Sequence, residues 1–164
     1  MPRVTQTLSE SYEAEAAAVG RARRELANFA VAAGASAPQV DSVRLAVSEA
    51  VTNAVLHGYR GAPGTVQITA GVAAGELWIL VSDSGGGMQP VTDRPGLGLG
   101  LGLIAQISNH MTIVPSPEGG TELRMRFDLS GDAPAVARRV GDATTPAGSA
   151  SLMRAVERRP SAAA

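Results

Sequence analysis

The sequence predicts an α+β fold, a two-layer α/β sandwich with helices on one face of a mixed sheet. Three observations predict it. Stretches with helical periodicity come early, and alternating apolar stretches joined by short turns come late. The 164 residues are 45% hydrophobic, enough for one domain with one sizeable core.

Val4–Leu8 reads as a short strand. In Glu13–Ala33, Ala18, Ala22, Leu26, Phe29 and Ala30 repeat at helical spacing, with Gly34 as the C-cap. A second helix runs from Pro38, in its first turn, to His57 and ends at Gly58. Thr65–Val72 and Glu76–Ser82 are two strands of a hairpin turning at Ala73-Ala74-Gly75. Asp83–Gly102 is rich in Gly and Pro and reads as a loop. Leu103–Ser108 follows as a helix, His110–Pro115 as a strand, and Thr121–Leu129 as a last strand alternating Leu123, Met125, Phe127 and Leu129. The domain is expected over residues 1–130. Residues 131–164 shift to Ala, Gly, Pro, Ser, Thr and Arg and read as a disordered tail with a short helix at Ser151–Arg159.

Composition excludes several chemistries. With no cysteine, there is no disulfide, thiolate nucleophile or Cys-based zinc site. All 14 Lys+Arg residues are arginine. A Walker A loop and a eukaryotic-type protein kinase both need a phosphate-binding lysine, so neither is present. The net charge of −1 points away from direct nucleic-acid binding. No signal peptide opens the chain, and no apolar run reaches the roughly 18–20 residues of a membrane span. A cytoplasmic protein with no membrane partner is expected.

Three segments carry chemistry. In the second helix, Val40, Val43, Val47, Val51 and Ala54 form a core stripe, while Glu49, Asn53 and His57 recur every four residues on another flank. The angular neighbours of that flank are Leu45, Ala46, Ala50 and Leu56. A carboxylate and an amide among apolar residues need satisfying, and a hydrated Mg²⁺ would satisfy them. A solvated polar flank is the plain alternative. Next, Asp83-Ser84-Gly85-Gly86-Gly87-Met88 follows an apolar strand. A carboxylate there can accept from an exocyclic amine such as adenine N6, and the glycines permit close backbone approach. The same letters also fit an ordinary turn. Finally, Gly96–Ile104 alternates glycine and leucine into a helix. Backbone amides at glycines and a helix N-terminus bind anions without lysine, and the alternative is a flexible linker.

Together these segments resemble the GHKL ATPase superfamily, with its Bergerat fold, and most nearly its anti-sigma factor serine-protein kinases. Glu49–Tyr59 looks like their N-box, Asp83–Met88 matches the G1 box, Gly98–Leu103 the G2 box, and Gly120-Thr121 the closing G-T element. The similarity covers about residues 4–129, with a short stretch, Gln89–Leu97, between the two glycine boxes.

The resemblance implies ATP and Mg²⁺ as cofactors. Asn53 would ligate the metal, Glu49 act as general base, and His57 lie near the phosphates. Asp83 would contact adenine N6, with Gly85, Gly87 and Met88 beside it and Thr121 holding adenine through water. Gly98, Gly100 and Gly102 would supply lid and phosphate-binding amides. The implied partners are a sigma factor and a serine-bearing anti-anti-sigma protein that is phosphorylated, with a homodimer left open. A non-catalytic, ATP-gated binding module and a detached histidine-kinase catalytic domain are the alternatives.

Overall fold

In a computed structural model, residues 5–60, 62–86 and 97–130 are described. The chain begins with β1 (Gln6–Glu13), α1 (Ala16–Ala32) and α2 (Ala37–Asn53), then a π-helical turn at Ala54–Gly58. β2 (Thr65–Ala73), β3 (Glu76–Asp83), α3 (Leu97–Ile107), β4 (His110–Pro115) and β5 (Thr121–Asp128) follow.

The five strands lie in the order β1-β2-β3-β5-β4. Every pairing is antiparallel. The sheet is thus antiparallel rather than mixed, because each neighbouring pair runs in opposite directions and no described crossover returns parallel.

One face of the sheet packs on the helices. Val66, Ile68 and Ala70 of β2, Leu77, Ile79 and Val81 of β3, and Leu123, Met125 and Phe127 of β5 are buried there. They meet Ala18, Ala22, Leu26 and Ala30 of α1, Val43, Val47 and Val51 of α2, and Ile104 of α3. The predicted stripe of α2 is buried throughout, from Val40 to Ala54. Small alanines on α1 let it lie close to the sheet and to α2, which compensates for the scarcity of aromatics.

The caps follow local chemistry. Gly34 takes φ 87°, and its N–H and that of Ala35 close the end of α1 onto Val31 and Ala30 carbonyls. At the start of α2, the Ser36 N–H donates to Gln39 Oε1 at 2.8 Å, one arm of a capping box, with a proline in the first turn. Gln39 also donates to the Asp128 carbonyl at 2.6 Å, which ties the start of α2 to the end of β5.

Two elements depart from expectation. β1 begins and ends later than Val4–Leu8, reaching Glu13, because its extent is set by pairing with β2 from Gln6↔Val72 to Glu13↔Thr65. α3 begins at Leu97 rather than Leu103, so most of the glycine-leucine stretch is itself helical.

Candidate functional site

The site is built around α2 and has two ends. At the first, Glu49 and Asn53 sit half-buried on one flank of the helix. Their apolar surroundings are unequal: Ala46 and Ala50 are buried, whereas Leu45 and Leu56 are exposed. α3 closes on this flank through Gly100. A Cβ placed on Gly100 would lie 2.6 Å from Glu49 Oε2 and 3.6 Å from Asn53 Nδ2. The absent side chain is what lets the helix backbone come so near the carboxylate and the amide.

The Asn53 amide nitrogen is buried and has no hydrogen-bond partner. A buried, unsatisfied polar atom costs about 1–3 kcal/mol unless something completes it. An acceptor oxygen from a phosphate would complete it as it stands. With the amide turned over, the same position holds an oxygen that suits a hard divalent cation such as Mg²⁺, which keeps several waters and shares phosphate oxygens. Among the described residues no cluster of three or more His, Asp or Glu forms a metal cage. The donor set therefore fits an ion that leans on one protein group and a ligand.

The first turn of α3 leaves its N–H groups without intrahelical acceptors. Gly98 falls in that turn. Gly102 lies past it, where helix bonding engages the amide, and a Cβ there would meet nothing within 4 Å. Gly98 therefore presents its amide at the open end of α3, while the Gly100 N–H closes the first helical bond and Gly100 contributes its close backbone approach. His57 is half-buried in the π-helical turn, and no described hydrogen bond ties it to Glu49 or Asn53.

The second end lies where α2 runs out. Asp83, at the end of β3, is buried at 8% exposure. Its carboxylate accepts the Gly85 N–H at 3.0 Å and also the backbone N–H of Thr121. Burial pushes the Asp83 pKa up from its ordinary value, and these two donors oppose the rise. Two glycines crowd Asp83, and a third packs against one of them. A Cβ on Gly58 would lie 2.9 Å from Asp83 Oδ1, and one on Gly120, whose φ is +80°, would lie 2.2 Å from the Asp83 carbonyl oxygen. A Cβ on Gly85 would lie 2.1 Å from the Gly58 carbonyl oxygen, which itself accepts the Gly86 N–H at 3.0 Å. Asp83, Gly85 and Thr121 are thus brought together as expected. Gly87 and Met88 lie outside the described residues.

The sequence reading missed Tyr59 as a connector. Its hydroxyl donates to the Thr65 carbonyl at 2.5 Å, accepts the Ser84 N–H at 2.9 Å and lies 3.0 Å from Ser84 Oγ. Gly64 packs flat on its ring, since a Cβ there would fall 1.9 Å from a ring carbon. A lone tyrosine just after a helix gives no sign of a bond reaching twenty-five residues ahead. Away from the site, a groove of about 700 Å³ between α1 and α2 is lined by Arg23, Arg24, Arg44, Asp41 and Leu45.

The family model described as histidine kinase-like ATPase domain matches residues 12–127. The Anti-sigma F factor of Clostridium acetobutylicum is 35% identical over 116 residues, which cover 64% of this chain and 81% of that protein. The Anti-sigma F factor of Bacillus velezensis is 31% identical over 121 residues, covering 66% and 83%. Among solved structures, the RsbU and RsbW domains of Rv1364c from Mycobacterium tuberculosis superpose with a TM-score of 0.62 at 26% identity. That match covers 81% of this chain and 35% of the longer one. The matched span takes in Glu49, Asn53, Asp83, Gly100 and Thr121, the residues that build both ends of the site. The chain belongs to the histidine kinase-like ATPase domain family, and within it to the group that includes the anti-sigma F factors.

Proposed function

We propose that this chain binds Mg-ATP and acts as an anti-sigma factor and serine-protein kinase, phosphorylating a serine of an anti-anti-sigma partner. The observation that carries the reading is the meeting of Glu49 Oε2, the unsatisfied Asn53 amide and the side-chain-free Gly100 at the first turn of α3. One carboxylate, one amide and a set of free backbone N–H groups are the parts needed to orient a triphosphate and a hydroxyl.

In this reading Asp83 takes the adenine N6 amine, and Thr121 supports the base from the neighbouring strand. The open N-terminal amides of α3, Gly98 among them, hold phosphate oxygens, with Gly100 and Gly102 giving the close backbone approach. Mg²⁺, when bound, neutralises charge developing on the phosphate oxygens. Glu49 accepts the serine proton as the hydroxyl oxygen forms its bond to the γ-phosphorus and the bond to the ADP oxygen breaks. ADP leaves carrying the electron pair of the broken bond.

Partner binding has its own support. The arginine-lined groove between α1 and α2 suits an acidic protein face, and the named relatives are anti-sigma factors. Among the described residues no helix is long and apolar enough to cross a membrane.

The test is transfer of label from γ-labelled ATP to the anti-anti-sigma protein that co-purifies with the chain. Wild type should transfer. Glu49→Gln should bind Mg-ATP and the sigma factor as before but transfer on the order of 10²–10⁴ more slowly. Undiminished transfer in Glu49→Gln removes the general-base role. No transfer by wild type leaves the ATP-gated binding module as the better description.

A further inference from the structure

The sheet has a second face, turned away from α1, α2 and α3, and that face is not bare. Trp78 and Leu80 of β3 project to it, alternating with the core residues Leu77, Ile79 and Val81. They are only 7% and 6% exposed. Trp78 forms with Ala73 an apolar cluster separate from the main core. Glu122 and Arg126 of β5 share the face. Glu122 is 9% exposed, and the Arg126 Nε is buried without a hydrogen-bond partner.

The described neighbours do not account for this burial. Trp78 lies across from Gly71, which has no side chain, and from Arg126, whose guanidinium sits 5.5 Å from the indole centroid. One side chain covers one side of an indole. An aromatic ring on an otherwise open sheet keeps its other face in water, whereas Glu122 is already partnered on this face by the Arg124 guanidinium. The sequence of β3 agrees. β5 alternates in sequence, with Arg124 and Arg126 between Leu123, Met125 and Phe127. β3 instead runs Leu77-Trp78-Ile79-Leu80-Val81 without a break, the pattern of a strand buried on both faces.

We infer that this second face is the docking surface for the chain's own C-terminal segment, with Leu152, Met153 and Val156 seated over Trp78 and Leu80. The last described residues lie at the right place. The Leu129 N–H donates to the Gly75 carbonyl at 2.8 Å, at the turn of the β2–β3 hairpin, and Glu76 pairs with Asp128. The chain therefore leaves the fold beside Ala73 and two residues from Trp78. Residues 131–164 follow, and extended chain spans about 3.3 Å per residue, so Ser151 reaches any point of the sheet. Leu152, Met153 and Val156 are spaced to share one face of a helical turn, with Arg154, Glu157 and Arg158 interleaved. This inference is independent of phosphate transfer.

Trp78 is the only tryptophan, and the chain has no cysteine, so both ends of the contact can be addressed in the full chain. In Leu152→Ser/Met153→Ser/Val156→Ser, Trp78 emission should move to longer wavelength and its quenching by acrylamide rise severalfold, with Mg-ATP binding unchanged. In a second variant, Ala155→Cys carrying a nitroxide should quench Trp78 by contact, to the same degree at all protein concentrations and after mixing with excess unlabelled chain. An unmoved emission spectrum in the triple variant overturns the inference. So does the absence of nitroxide quenching. Quenching that falls on dilution overturns it too, since a second copy would then be the cover.

Discussion

The Tyr59 hydroxyl accepts the backbone N–H of Ser84 at 2.9 Å, so the residue that ends the helical segment holds the residue that follows Asp83. The ring cannot drift, because Gly64 packs against it and the same hydroxyl donates to the Thr65 carbonyl. The orientation of Asp83 therefore depends on the Tyr59 phenol through its neighbour Ser84. Tyr59→Phe leaves the Ser84 N–H without its acceptor in a partly buried place, a loss of about 1–3 kcal/mol. Thermal unfolding should show that loss. The telling readout is base discrimination: the ATP-to-GTP affinity ratio should fall severalfold, which a loss of stability alone does not produce.

Asp83 itself should set base preference. Its carboxylate accepts from adenine N6 but opposes the O6 acceptor of guanine. Wild type should prefer ATP, and Asp83→Asn should weaken ATP binding by tenfold or more in calorimetry. Equal affinity of wild type for ATP and GTP would contradict the assignment. The pH dependence follows from burial, which raises the Asp83 pKa above its ordinary 3.8. A raised native pKa means the native state takes up this proton more readily than the unfolded chain. The group's contribution to stability is then full below about pH 3.8 and lost as pH rises through the native value. Nucleotide binding runs the other way. It needs the ionised acceptor, so ATP affinity should fall with acidification earlier than an ordinary aspartate would allow, and Asp83→Asn should lack that step.

Gly100→Ala should separate stability from chemistry with opposite signs. Alanine in place of glycine within a helix favours folding by about 1 kcal/mol. The new methyl, however, falls 2.6 Å from Glu49 Oε2 and must push that flexible carboxylate aside. Melting temperature should hold or rise by a few degrees while phosphate transfer drops more than tenfold. Unchanged transfer would mean that Glu49 does not act from where it stands.

Asn53→Ala removes a side chain whose amide nitrogen makes no bond within the protein. The fold should lose little, and magnesium-dependent ATP affinity should fall by tenfold or more. Calorimetry with and without Mg²⁺ measures both parts. Equal Mg-ATP affinity in mutant and wild type would move the metal and phosphate site elsewhere.

Much of this was legible in the sequence because helix periodicity is a local signal. The stripe Val40–Ala54 and the flank of Glu49 and Asn53 follow from angular position alone, and both are found where that geometry puts them. The alternation of β5 was equally plain. Glycine disfavours helix, so the glycine-leucine stretch reads as loop, yet α3 begins at Leu97 and Gly100 is what lets the helix approach α2. Gln6–Glu13 is mostly exposed and polar, so the bounds of β1 come from a partner strand and not from its own pattern. The bonds of Gln39 to Asp128 and of Tyr59 to Ser84 join residues far apart in the chain, which no local pattern encodes.

The helical segment that carries the site works as a measuring rod. Its body supplies Glu49 and Asn53, and its last turn delivers Gly58 and Tyr59 to the Asp83 end, with no flexible linker between them. Asn53 and Gly58 are only five residues apart along a rod that rises about 1.5 Å per residue, and somewhat less where the turn is wider. A span set in this way changes by whole residues or not at all. Inserting or deleting one amino acid between Asn53 and Gly58 would rescale the distance between the two ends rather than loosen it, and every ligand length is judged against that gauge.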